Sequence, residues 1–121
     1  MLTSLDDTAL KQMGYAFTAL ELIHMRAKQA VEFGCEGLIA SAADDPNELR
    51  RIAGSDRLLI GTPGIRGAED GADDHARLAK PRAAIERGSD YLVVGRPIIA
   101  HADPAARARQ IIAEMESGAR A

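Results

Sequence analysis

Three short apolar runs, separated by stretches with helical spacing, limit what this chain can fold into more than any other feature. The runs cover residues 37–41, 57–61 and 91–95, and residues 1–4 could be the end of a further strand. None of the runs alternates apolar and polar residues, so each is predicted to be a strand buried on both faces, as in a parallel sheet covered by helices. The order predicts an α/β fold with right-handed crossovers between its strands.

Helix start and stop signals fill the intervals between these runs. Thr18 and Glu21 have the spacing of a capping box. Pro46, Pro81 and Pro104 are each predicted to occupy the first turn of a helix. The predicted helices cover residues 6–13, 18–34, 45–54, 81–88 and 103–118.

Residue patterns within the helices predict which side chains face the core. Helical spacing places Leu20 and Ile23 on one apolar stripe, and Ile111 and Ile112 on another. Cys35 has no identifiable histidine partner and is predicted to be a buried packing residue. The arginines are dispersed among aspartates and glutamates, which indicates solvated helix faces.

Composition argues against several classes of function. A net charge of -3 and an aromatic content of 3% argue against the binding of nucleic acid. A single cysteine allows no intrachain disulfide, which suits a reducing cytoplasm, and no apolar run is long enough to span a bilayer. His24, His75 and His101 are scattered, so no metal site is expected.

Two turns rich in glycine and arginine follow consecutive predicted strands. They are Gly61–Arg66, which reads GTPGIR, and Val93–Ile98, which reads VVGRPI. Exposed backbone N–H groups, a guanidinium and a helix N-terminus are what a phosphate dianion needs, and the last two βα loops of a (β/α)8 barrel often form such a cup. Arg96, between glycine and proline, is favoured as a phosphate ligand over a surface arginine or a structural salt bridge. For Arg66, the functional and the structural interpretations both stay open.

Several stretches resemble one known family in order and spacing. They are residues 2–5, 37–42, 62–66 and 90–98, and residues 102–104 also fit. The combination of TPGIR with VGRPI is specific, and the chain resembles the C-terminal half of orotidine 5'-phosphate decarboxylase in the group typical of many bacteria. The resemblance implies a (β/α)8 barrel, usually dimeric, that converts orotidine monophosphate (OMP) to uridine monophosphate (UMP) with neither cofactor nor metal. This chain would supply strands five to eight.

By the same resemblance, five positions match residues of the nucleotide site. Ser4 matches a serine that contacts the pyrimidine, although from the residues alone it could be a helix cap. Pro63 matches a proline that lines the base pocket. Gly95 and Arg96 match the pair that grips the 5'-phosphate by a backbone N–H and a guanidinium. Arg66 completes the TPGIR signature.

The sequence departs from the family in two ways. The family often has a phosphate-contacting glutamine in the loop after TPGIR, near Gly67 and Ala68, and this loop contains none. The family's catalytic array of lysines and aspartates, which includes an Asp-x-Lys-x-x-Asp motif, is also missing, because Lys11, Lys28 and Lys80 are the only lysines and none has that pattern. Decarboxylation needs a lysine beside the developing carbanion. The chain is therefore predicted to be a binding half that is inactive by itself.

The length of 121 residues predicts a single partial-barrel domain, because a complete (β/α)8 barrel has roughly 250. Such a half has open sheet edges and an uncovered apolar inner face, so it should self-associate or pair with an N-terminal half. Residues 67–75 are interpreted as a solvated, mobile lid rather than a site for a divalent ion. Two alternatives stay open: a truncated or engineered half-barrel scaffold without activity, and another phosphate-binding barrel enzyme.

Overall fold

A three-stranded parallel sheet forms the centre of the computed structural model, which describes residues 5–67 and 79–119. The strands lie in the order β1–β2–β3 and are Gly37–Ile39 (β1), Leu59–Thr62 (β2) and Tyr91–Leu92 (β3). The helices are Asp7–Gln12 (α1), Ala19–Glu32 (α2), Pro46–Ala53 (α3), Pro81–Glu86 (α4), Arg96–Ile99 (α5) and Pro104–Ala119 (α6), with a 3-10 helix at Ala42–Asp44.

The parallel register confirms the predicted alternation of strands and helices. Leu38 lies opposite Ile60 in β2, and Thr62 lies opposite Leu92 in β3. The strand predicted for residues 1–4 lies outside the described residues, as does the predicted loop beyond Gly67. No helix in the two described ranges is long and apolar enough to cross a membrane.

Local capping explains where the helices on the outer face of the sheet begin. The Thr18 hydroxyl accepts a hydrogen bond from the Glu21 N–H at 3.2 Å, and the Glu21 carboxylate accepts one from the Thr18 N–H at 2.8 Å. This is the predicted capping box, and the bonds from Thr18 lower the pKa of Glu21. At α3 the Asp45 carboxylate accepts from the Glu48 N–H at 3.3 Å, and Pro46 occupies the first turn as predicted.

The outer face of the sheet is closed by helices. Ile60 and Thr62 of β2 are both 0% exposed. Ile60 packs in one cluster with buried side chains of α2 and α3, including Ile23 and Leu49. A second cluster joins Ile65 to Ala84 of α4. One side of each strand therefore packs against helices, which is what the alternation of elements requires.

The opposite face of the same strands is bare. Ile39, Leu59 and Tyr91 are 67%, 45% and 61% exposed. The prediction that these strands are buried on both faces is therefore wrong for the described residues, because no described helix or strand covers this side. We call the side formed by Ile39, Leu59, Tyr91 and Val93 the bare face.

Three further burial predictions are wrong. Cys35 is exposed, because it lies beyond the end of α2 at Glu32, directly after the left-handed Gly34 (φ +79°). Leu20 and Ile112 are 55% and 53% exposed, because the inward stripes of their helices pass through neighbouring positions instead.

Arginines were predicted to lie on solvated faces, and Arg50 of α3 does not. Its side chain donates from Nε to the Leu58 carbonyl at 2.8 Å and from Nη1 to the Gly88 carbonyl at 2.7 Å, and it forms an ion pair with Asp90. The Asp90 carboxylate also accepts from the Ile60 N–H at 2.7 Å. This network ties α3 to the amino-terminal ends of β2 and β3.

Candidate functional site

Two turns lie side by side at the carboxyl-terminal edge of the sheet. The first edge turn, residues 63–67, follows β2, and the second edge turn, residues 93–96, follows β3. The Val93 N–H donates to the Thr62 carbonyl at 2.9 Å, so the second turn leaves the sheet beside the start of the first. Neighbouring carboxyl ends of parallel strands are the usual place for a ligand in α/β folds.

The first edge turn is held firmly by its backbone. Gly64 has a φ of +74°, a conformation that favours glycine. Ile65 is 1% exposed and forms a parallel bridge with Ala79. The Arg66 N–H donates to the Ala79 carbonyl at 3.0 Å, and the Ala79 N–H donates to the Gly64 carbonyl at 3.2 Å. The turn is thus fixed from two sides before the chain continues.

Side chains of the first edge turn are only partly accessible. Pro63 and Arg66 are both half-buried. One guanidinium nitrogen of Arg66 donates to the Ile65 carbonyl at 3.1 Å, so this side chain lies along its own turn. The contact joins Arg66 to the residue before it in the turn.

The second edge turn is open to solvent. Gly95 and Arg96 are exposed, and α5 begins at Arg96. The Gly95 carbonyl accepts hydrogen bonds from the N–H groups of Ile98 and Ile99 at 2.9 and 3.1 Å. Among the described residues, no heavy atom lies within 4 Å of the place a Cβ on Gly95 would take. The backbone of Gly95 is therefore approachable by a ligand.

Two serines end predicted strands, Ser4 at residues 1–4 and Ser41 at residues 37–41. Ser4, predicted to contact a pyrimidine, lies outside the described residues. Ser41 ends the stretch after β1, and its hydroxyl caps the 3-10 helix by accepting from the Ala43 N–H at 3.2 Å. Within residues 5–67 and 79–119, no group of three or more His, Cys, Asp or Glu side chains could hold a metal ion.

Sequence reasoning missed Arg107 of α6, which lies against the first edge turn. It is 2% exposed, and its guanidinium occupies the space beside Gly67. Its position was readable, because Arg107 precedes the buried Ile111 by four residues and so shares the inward stripe of α6. Its burial was not predicted, because the arginines of the helices were interpreted as solvated.

The fold and the paired edge turns define a βα-repeat protein of the α/β class. Residues 1–111 match the Orotidine 5'-phosphate decarboxylase / HUMPS family, and the chain belongs to that family. The resemblance drawn from the TPGIR and VGRPI motifs is thereby confirmed.

Curated relatives agree with this assignment. The chain is 46% identical over 115 residues to the orotidine 5'-phosphate decarboxylase of Methylobacterium nodulans, covering 95% of this chain and 48% of that protein. It is 41% identical over 117 residues to that of Caulobacter vibrioides, covering 95% and 50%. The chain therefore spans about half the length of the curated relatives it matches.

Solved structures share the same fold. A crystal structure of orotidine 5'-phosphate decarboxylase from Lactobacillus acidophilus is similar with a TM-score of 0.78 and 33% identity, covering 95% of this chain and 46% of that one. An uncharacterized conserved protein from Geobacillus kaustophilus is similar with a TM-score of 0.74 and 26% identity, again covering 95% and 46%. The parallel α/β arrangement thus resembles that of the decarboxylase structure over nearly the whole chain.

Proposed function

We propose that this chain is the phosphate- and base-binding part of an orotidine 5'-phosphate decarboxylase, which releases CO2 from OMP and leaves UMP. One observation favours this most: two turns with family motifs lie side by side at the carboxyl edge of neighbouring parallel strands. The names of the similar proteins support the same reaction. An enzyme of this class is a carboxy-lyase of pyrimidine biosynthesis.

The second edge turn would hold the phosphate. The Gly95 N–H and the Arg96 guanidinium are its proposed ligands, because a charged donor beside exposed backbone suits a dianion. The openness around Gly95 supports this assignment. Pro63 and Ser4 would lie near the pyrimidine, and Arg66 would support the first edge turn more than the ligand.

The proton-donating lysine would come from outside these 121 residues. The sequence has three lysines and no Asp-x-Lys-x-x-Asp motif. Lys11 and Lys28 lie on α1 and α2, and Lys80 directly precedes α4. A carbanion needs a preorganised cation beside it, so we expect negligible turnover by the chain alone and propose neither metal nor cofactor.

A half-barrel arrangement would account for the bare face. In a complete (β/α)8 barrel, the inward side chains of all strands pack against one another. The exposed Ile39, Leu59 and Tyr91 would be side chains of that kind. We therefore propose that a second half or a second copy of this chain covers them, in the cytoplasm, where a free and exposed Cys35 would remain reduced.

Calorimetric titration of the purified chain with UMP tests the function. We expect saturable binding that Arg96→Ala weakens by about 2 kcal/mol, the scale of a lost hydrogen bond to a charged group. Arg57→Ala is the matched control, because Arg57 is exposed and precedes β2 at the opposite end of the strand. Ribose 5-phosphate, which lacks the base, should bind far more weakly than UMP.

Three results would count against the proposal. Equal binding of UMP by the chain and by Arg96→Ala would show that the phosphate binds elsewhere. Equal affinity for ribose 5-phosphate and UMP would favour a different phosphate-binding barrel enzyme. Turnover of OMP at the rate of a complete decarboxylase would show that the lysine array is dispensable.

A further inference from the structure

Among the described residues, Arg107 has the one charged side chain that is buried. It is 2% exposed and belongs to α6, which packs against α4 and α5. A guanidinium stays protonated at any ordinary pH. Burying a charge is unfavourable unless hydrogen bonds or an opposite charge compensate for the lost water. An apolar side chain would fill the same place in α6 with less desolvation, so the position calls for a specific explanation.

The guanidinium of Arg107 takes the place of a side chain at residue 67. Its Nη2 atom lies 1.8 Å and its Cζ atom 2.9 Å from where a Cβ on Gly67 would be. Its Nη1 atom also donates to the Gln110 Oε1 atom at 3.1 Å, which orients the group from the α6 side. Gly67 does not have a left-handed φ, so the Arg107 guanidinium, rather than backbone conformation, is what a larger side chain at this position would meet.

Helix α6 therefore contacts the first edge turn directly and packs against α5, the helix that continues from the second edge turn. Arg107 makes the contact with Gly67, and α5 begins at Arg96. We propose that Arg107 is a positioning residue that holds the first edge turn on α6 and so sets its place relative to the second. An effect of Arg107 on phosphate binding rests on the proposed function, in which the two turns form one site.

A double-mutant cycle between Gly67→Ala and Arg107→Ala tests the contact without any ligand. In the parent chain, Gly67→Ala forces the guanidinium out and should lower the thermal midpoint. In the Arg107→Ala background the space is empty, so the same substitution should change the midpoint little. Equal losses in the two backgrounds would overturn the proposed contact.

Amide chemical shifts test the positioning itself. Arg107→Met should move the amide signals of Gly64 and Gly67, whereas Arg109→Met, an exposed position on the same helix, should leave them in place. Unmoved signals in both variants would overturn the positioning role. This measurement decides the inference even if the chain binds no UMP, a result that would count against the proposed function alone.

The affinity for UMP separates positioning from general stability. Measured well below the thermal midpoint, Arg107→Met should bind UMP about tenfold more weakly than the parent, the scale of a misaligned charged hydrogen bond. Arg107→Lys should recover part of the loss, and Arg109→Met should bind like the parent. A lower midpoint with unchanged UMP affinity would overturn the link to the phosphate site while leaving the proposed function intact.

Discussion

The two faces of the sheet are made from the same three strands and from similar residue types, yet their surroundings are opposite. On the outer face, Ile60 is 0% exposed beneath α2 and α3. One residue earlier on the same strand, Leu59 is 45% exposed on the bare face. An apolar side chain is therefore expected to be buried, but the topology decides whether this chain itself supplies the residues that bury it.

The sharpest test of this difference compares truncations of adjacent residues. Ile60→Ala should lower the free energy of unfolding by about 3 kcal/mol, because it leaves a cavity in a closed core. Leu59→Ala should cost less than about 1 kcal/mol, because this side chain gives up less buried area. Urea unfolding measures both, with the two variants compared at the same protein concentration and the comparison repeated at several concentrations, because association adds a concentration-dependent term.

Similar costs for the two variants would break the comparison. A large loss for Leu59→Ala, growing with protein concentration, would show that the bare face is covered by another chain in solution. A small loss for Ile60→Ala would show that the outer face is not the main core.

A smaller effect is expected from the polar network that fastens the outer face. Arg50→Met should lower the free energy of unfolding by about 2 kcal/mol, because the Leu58 and Gly88 carbonyls lose a charged donor while the partly exposed Asp90 regains water. Arg51→Ala is the control, since the exposed Arg51 pairs only with Glu48 of its own helix in the contacts described here. An equal cost for both variants, again by urea unfolding, would contradict a role for the network.

The smallest effect on the unfolding of a single chain is expected on the bare face. Tyr91, which is 61% exposed, can become Glu with little change within the chain. If a second chain covers this face, the buried carboxylate should weaken association by about tenfold or more. Light scattering over a range of concentrations measures this, with Tyr91→Phe as the control. A parent chain that stays monomeric at micromolar concentration would contradict cover by a second copy.

Local chemistry made much of the fold predictable. The Thr18–Glu21 capping box and the proline at position 46 set the starts of α2 and α3 within one or two residues of the predictions. These signals act over a single helical turn, so no knowledge of the tertiary fold is needed. The parallel sheet was predicted from the alternation of short apolar runs with helices, although the burial on both faces inferred from the same runs is wrong.

Burial was less predictable because it depends on distant parts of the chain. Whether Leu59 is covered depends on what lies across the sheet, and whether Arg107 is buried depends on where residue 67 passes α6. The candidate site divides along the same line. Motifs identified the two edge turns, whereas the buried arginine behind one of them became visible only through its contact with Gly67.

Because Ile65 and Ala79 form a bridge, the shape of the first edge turn does not depend on the length of the chain segment that follows the turn. Both ends of this segment are pinned by backbone hydrogen bonds at 3.0 and 3.2 Å. Lengthening a closed loop costs only chain entropy, about 0.6 kcal/mol for each doubling. Insertions and deletions after Gly67 and before Ala79 are therefore expected to be tolerated, so evolution can vary this segment while the turn keeps its geometry.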